Sequence, residues 1–199
     1  MIQKRREERY KQYERQKRQW FYTRIGLAAV AVMVVGAIAF VIFNIVQDRI
    51  DEQALDDVQE FSYGTDHVAE PPDYAEAPPA GGPHNAAWQN CGYYEAPIEE
   101  WYAVHSLEHG AVWITYRPDL PQEQIDELRD LTESNNYLVV SPYPDQATPI
   151  VMTAWNRQLP LDSTDERAFD AFIRQYTRSS HVPEPQGICI GGISTTAPA

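Results

Sequence analysis

No stretch limits the possible architectures of this chain as much as Ile25–Val46, whose only strongly polar side chain is Asn44. At about 1.5 Å of rise per residue such a run spans roughly 33 Å, enough for a hydrocarbon layer of about 30 Å. Trp20, Phe21 and Tyr22 stand just before it, where an interfacial aromatic belt belongs. The run is longer than the apolar part of a signal peptide, and Phe43–Asp48 offers no small-residue cleavage site. An uncleaved transmembrane anchor is the expectation, with residues 25–46 as the contact with the bilayer.

Charge separates what lies on either side. Residues 1–24 hold nine basic and three acidic side chains, a surplus of six, so with a net charge of −13 the remainder carries −19. By the bias of Lys and Arg toward the cytoplasmic side, 1–24 reads as a basic cytoplasmic tail, and the C-terminal part as lying outside the cytoplasmic membrane. Arginine richness without a nucleic-acid motif gives no nucleic-acid partner. Residues 47–60 read as an acidic stalk helix, 61–190 as one extracytoplasmic domain, and 191–199 as a disordered tail.

Within that domain the leading segment, 70–84, is too rich in proline for a helix or central strand, so it is expected to lie extended on the folded body. Ala111–Tyr116, Tyr137–Ser141 and Pro149–Trp155 read as strands. Gln122–Thr132 is an amphipathic helix with Ile125, Leu128 and Leu131 on one face. A second helix opens near Asp162, with Ser163 and Glu166 spaced as a capping box and Phe169, Phe172, Ile173 and Tyr176 as its apolar stripe. The order β-α-β-β-α predicts an α+β fold, a small α/β sandwich for which a split-βαβ, ferredoxin-like topology is the candidate.

The chemistry-bearing residues gather in His105-Ser106-Leu107-Glu108-His109-Gly110. Histidines four apart share a face of a helix or a strand, the usual presentation of a metal pair. His84, in a loop constrained by Gly82 and Pro83, is the third candidate ligand, and Glu108 a support or fourth ligand. His67, Met152 and His181 are further candidates for a fourth position. Imidazole suits copper, zinc, nickel and iron, and an exported location without a fixed cysteine ligand places copper ahead of zinc. The competing structural reading makes the histidines packing residues and pairs Glu108 with Arg117 or Arg157.

Two other functions compete. His-x-x-Glu-His matches the inverted zinc-protease motif, which needs a helix and a further acidic ligand downstream; hydrolysis is the weaker reading, and no small-molecule substrate suggests itself. Alternatively the domain is an accessory subunit of a membrane complex, docking through Trp88, Tyr93, Tyr94, Trp101 and Tyr102. Cys91 and Cys189, the only cysteines, read as one disulfide in an oxidising compartment.

Taken with the basic tail and single anchor, the ordered motifs Gly82-Pro83-His84, His105–Gly110, Tyr116-Arg117-Pro118 and Thr153-Ala154-Trp155 resemble the bacterial, largely actinobacterial family called domain of unknown function 3105. The resemblance covers about residues 61–184. It implies a membrane-tethered extracytoplasmic domain and marks His84, His105, Glu108 and His109 as pattern positions. Where family members often carry glycine after Thr-Ala-Trp, this chain has Asn156.

Overall fold

The computed structural model describes residues 2–197, as two compact units meeting between Ile50 and Asp51. Helix α1, Ile2–Ala54, supplies the whole of the first unit. It is the one helix among the described residues long and apolar enough to cross a membrane. Leu27, Val32, Met33 and Phe40 are all exposed on it, a surface suited to lipid rather than water. Its polar side chains bond the helix itself: Asn44 Nδ2 donates to the Phe40 carbonyl at 2.7 Å and Thr23 Oγ1 to that of Gln19 at 2.9 Å. In lipid this satisfaction is obligatory.

The second unit is α+β, built on a six-stranded mixed sheet. The elements following α1 are β1 (Gln59–Glu60), β2 (Gly92–Tyr93), α2 (Glu100–Glu108), β3 (Val112–Tyr116) and α3 (Gln122–Ser134). Then come β4 (Leu138–Pro142), β5 (Ile150–Ala154), β6 (Arg157–Leu161) and α4 (Arg167–Tyr176). The strand order is β1-β6-β5-β3-β4-β2. Because β3 and β4 are parallel neighbours with Trp113 opposite Val139, the crossover through α3 is an unsplit βαβ. The ferredoxin-like topology is therefore corrected, while the α+β class stands.

Alternation along the strands assigns each face its core. Val112, Ile114, Tyr116, Val140, Ile150 and Met152 point to the side packed by Leu128 of α3 and Phe169 and Phe172 of α4. Trp113, Val139 and Trp155 pack on the other side with Ala103, Val104 and Leu107 of α2.

Several elements depart from the sequence reading. The helix expected over 47–60 stops at Ala54, because Leu55 and Val58 turn into the first core and Gln59–Glu60 pairs with β6. Strand β6 escapes pattern reading because it contains Pro160. Proline is tolerated there since β1 reaches only Arg157 and Gln158, leaving Pro160 on an open edge. Residues 191–197, read as a disordered tail, instead run beside 88–97, with Ile193 bridged to Gln89 and Ala197 donating to the Pro97 carbonyl at 2.7 Å. The remaining two residues of that tail lie outside the described ones. The capping box at Ser163 and Glu166 forms only by half: Glu166 Oε1 accepts from the Ser163 amide at 3.2 Å, but Ser163 Oγ accepts from the Asp165 amide, all in the turn before α4, which itself starts at Arg167.

Asn156 adopts φ of 60°, a left-handed conformation that glycine or asparagine takes most readily. Its side chain accepts from the Tyr63 amide at 2.8 Å and its amide donates to the Ala80 carbonyl at 2.7 Å, so it clips the proline-rich segment to the β5–β6 turn.

Candidate metal centre

Helix α2 carries the histidine pair, and it is buried continuously from Ala103 to Glu108. One arc of it, Ala103, Val104 and Leu107, lies on the sheet; the adjoining arc presents His105, Glu108 and His109. Gly110 ends it in a Schellman turn, with the Gly110 amide on the Leu107 carbonyl at 2.9 Å and the Ala111 amide on that of Ser106 at 3.0 Å. Its φ of +89° is one that L side chains avoid, and an added Cβ would press on the Arg178 backbone at 2.9 Å.

Two further segments bring partners. His67 and His84 face each other in a parallel bridge, the Val68 amide donating to the His84 carbonyl at 2.8 Å and the His84 amide to that of Asp66 at 3.0 Å. From the C-terminal side comes Pro183–Cys189. The Glu184 amide donates to the Glu108 carbonyl at 3.1 Å, and the Cys91–Cys189 disulfide holds the far end, with the Cys91 amide on the Cys189 carbonyl at 2.7 Å. Gly187 approaches His109 so closely that any Cβ would overlap its ring.

The three buried histidines share one arrangement. Nδ1 of His84 donates to the Gly82 carbonyl at 2.8 Å, that of His105 to Asn85 at 2.7 Å, and that of His109 to Ile188 at 2.8 Å. A carbonyl oxygen only accepts, so each Nδ1 must carry a proton, and in its neutral form each ring turns an Nε2 lone pair inward. His105 Nε2 and His109 Nε2 then face each other lone pair to lone pair at 3.0 Å. His84 Nε2 stands 2.8 Å from Glu108 Oε2, a second acceptor. Each contact requires a shared proton or a cation. Carbonyl bonds that fix Nδ1–H are also the support that metal-binding histidines ordinarily have.

Two groups of donor atoms result, each with members within 4.8 Å of one another: His67, His84, His105 and Glu108, and His105, His109 and Glu184. Burial pushes the His105 imidazole below its usual pKa; the Asn85 carbonyl opposes this, while His109 and His84 act with it. For Glu108, burial is the largest influence and acts to raise the pKa, but the hydrogen bond and charge of protonated His84, together with His105 and His67, hold the carboxyl below the usual range.

The sequence candidates fare unequally. His84, His105, His109 and Glu108 all arrive, but His84 and His109 fall in different groups rather than in one ligand trio. His67, a secondary candidate, belongs to the first group. Met152 faces the opposite core, between Ile114 and Leu159, and His181 is exposed beside Ser179. The suggested arginine partners of Glu108 are engaged elsewhere, Arg117 with Asp119 and Arg157 with Glu60. Glu184 was missed; lying between two prolines far downstream, it has no local pattern that marks a ligand.

The protease-like spacing does sit on a helix, and Glu184 gives the downstream acid. Yet Glu108, which hydrolysis would need as a base, is 3 % exposed and already bonded to His84. Trp155 of the Thr-Ala-Trp motif stands edge-on to His84 with ring centroids 5.8 Å apart, so three of the sequence motifs converge on this one spot.

A protein-family model described as "Protein of unknown function (DUF3105)" matches residues 67–191, a span that contains every member of both donor groups. No curated protein and no solved structure matches the chain.

Proposed function

The chain belongs to the DUF3105 family, and from the geometry within the family's span we propose that it holds a divalent transition-metal ion at the His105-centred cluster. The carrying observation is the set of three buried histidines whose Nδ1 protons are given to backbone carbonyls, so that each Nε2 faces another ligand-type atom across a gap that a proton or a cation must bridge. An imidazole and carboxylate set without sulfur suits Cu(II) or Zn(II), and the general order of affinities puts Cu(II) first. Cu(I) loses its support because Met152 packs into the other core. In this reading α1 anchors the protein with its basic end in the cytoplasm, and the ion is held outside the cytoplasmic membrane for delivery to a membrane complex.

The test uses the full chain in detergent, stripped with a chelator and titrated with Cu(II) and Zn(II) against a competing ligand. Stoichiometric binding is expected, weakened about hundredfold or more by His105→Ala, since a first ligand matters at least as much as the tenfold to hundredfold known for supporting residues. Equal, weak binding by both proteins would make the cluster a hydrogen-bonded core and return the domain to a docking role.

A further inference from the structure

The two donor groups meet in one atom. His105 Nδ1 is committed to the Asn85 carbonyl, so Nε2 is its only ligand atom, and that atom belongs to both groups. An imidazole nitrogen has one lone pair and binds one ion. The groups also differ in kind. The first offers three imidazoles and a carboxylate, a full tetrahedral complement; the second offers two imidazoles and a carboxylate, which leaves a position for an incoming ligand. Each has one member open to solvent, the His67 side chain at 46 % exposure and that of Glu184 at 55 %.

We propose that the ion has two mutually exclusive positions pivoting on His105: a closed holding position with His67, His84 and Glu108, and an open transfer position with His109 and Glu184. This deepens the metal-binding reading and rests on it. The attachments suit the two roles. His67 and His84 are locked by backbone bridging, and His84 is fully buried. Glu184 sits on a loop latched by the disulfide, where a partner's ligand can reach the ion from solvent. An ion leaving the holding position keeps its bond to His105 while exchanging His67, His84 and Glu108 for His109 and Glu184, so it is never released free.

The experiment loads the full chain in detergent with Co(II), whose visible absorption reports coordination number and geometry, and follows release to a chelator. The two exposed ligands are the safest to change, so His67→Ala and Glu184→Gln are compared with wild type, and far-UV circular dichroism checks the fold. One ion per chain is expected throughout. Glu184→Gln should keep wild-type affinity within about threefold but release the ion at least tenfold more slowly. His67→Ala should bind more weakly, release faster and show a spectrum shifted the opposite way. Two ions per wild-type chain would overturn the exclusive sharing of His105. Identical spectral shifts in both variants would reduce the cluster to a single position touching both ligands. Absence of tight binding in wild type would instead remove the metal-binding reading itself.

Discussion

The two faces of the sheet are covered in opposite ways. On the α3 and α4 face the packed cluster is of apolar side chains and tyrosine: Ile114, Leu128, Met152, Phe169, Phe172 and Tyr116 among them. On the α2 face, Trp113, Val139 and Leu107 share the interior with His84, His105, Glu108 and His109, none more than 5 % exposed. Apolar burial stabilises by about 25 cal/mol per Å². Buried ionisable groups rarely repay their desolvation, and apolar replacements of similar volume do as well or better. The first face therefore accounts for why the domain folds. The second spends burial on groups that folding does not require, and this asymmetry is what points to a function there.

The largest expected effect tests the first face. Phe172→Ala should cost about 3–5 kcal/mol in urea unfolding, the usual range for emptying a large aromatic site. Metal affinity of the folded fraction should stay within twofold. A parallel loss of affinity would show that the two faces are not separable.

Next is the counterpart on the α2 face. Glu108→Ala leaves His84 Nε2 buried without its carboxylate and should destabilise the metal-free protein by about 3 kcal/mol or more. Replacing both, His84→Leu with Glu108→Leu, should recover most of that loss while leaving only the transfer position to bind metal. If the double variant is no more stable than the single one, the pair is a structural element and the contrast between faces fails.

How much of this was legible follows from where the physics is local. The strands at 112–116, 138–142 and 150–154 announce themselves as short continuous apolar runs, buried throughout, and helix α3 by apolar residues recurring about once per turn. Helix α2 does not, because it is buried on adjoining arcs, one apolar and one polar, and so lacks a single stripe. The His105–His109 pair was readable because its four-residue spacing is a local fact. Its division into two groups was not, since it depends on a bridge between His67 and His84 and on a loop returning through Cys189. Asn156 stood out only as a departure from glycine; its positive φ explains why asparagine serves.

Third in size is the latch. Removing the disulfide with Cys91→Ser and Cys189→Ser opens a sequence separation of 98 residues. The cost should be about 2–5 kcal/mol, with chain entropy as the larger source in the simplest account. The effect should fall unevenly: Glu184 and the Ile188 carbonyl that orients His109 lie on the freed segment, whereas His67 and His84 do not. Cobalt spectra of the disulfide-free protein should therefore resemble those of Glu184→Gln. Resemblance to His67→Ala would place the latch on the wrong side of the site.

The smallest effect separates the faces by pH, in protein freed of metal. Burial lowers the folded-state pKa of His105, so the unfolded chain takes up its proton first. Stability is then complete above the unfolded histidine value of about 6.5 and falls as pH drops through the folded value. Glu108, also lowered, adds a loss of the same sign beginning near the unfolded value of about 4.3. Tyr116, on the opposite face, is shifted the other way: burial first, and then its bond to Tyr93, raise its pKa. Its contribution is complete below about pH 10 and is lost as pH rises through the folded value. Denaturant midpoints of wild type, His105→Gln and Tyr116→Phe, followed from pH 4.5 to 11, resolve the two arms. His105→Gln should flatten the slope between about pH 7 and 5 and leave the alkaline side unchanged, while Tyr116→Phe should do the reverse. Equal acid slopes in wild type and His105→Gln would mean that the buried imidazole is not held neutral, and the opposed lone pairs of His105 and His109 would then be joined by a proton rather than poised for an ion.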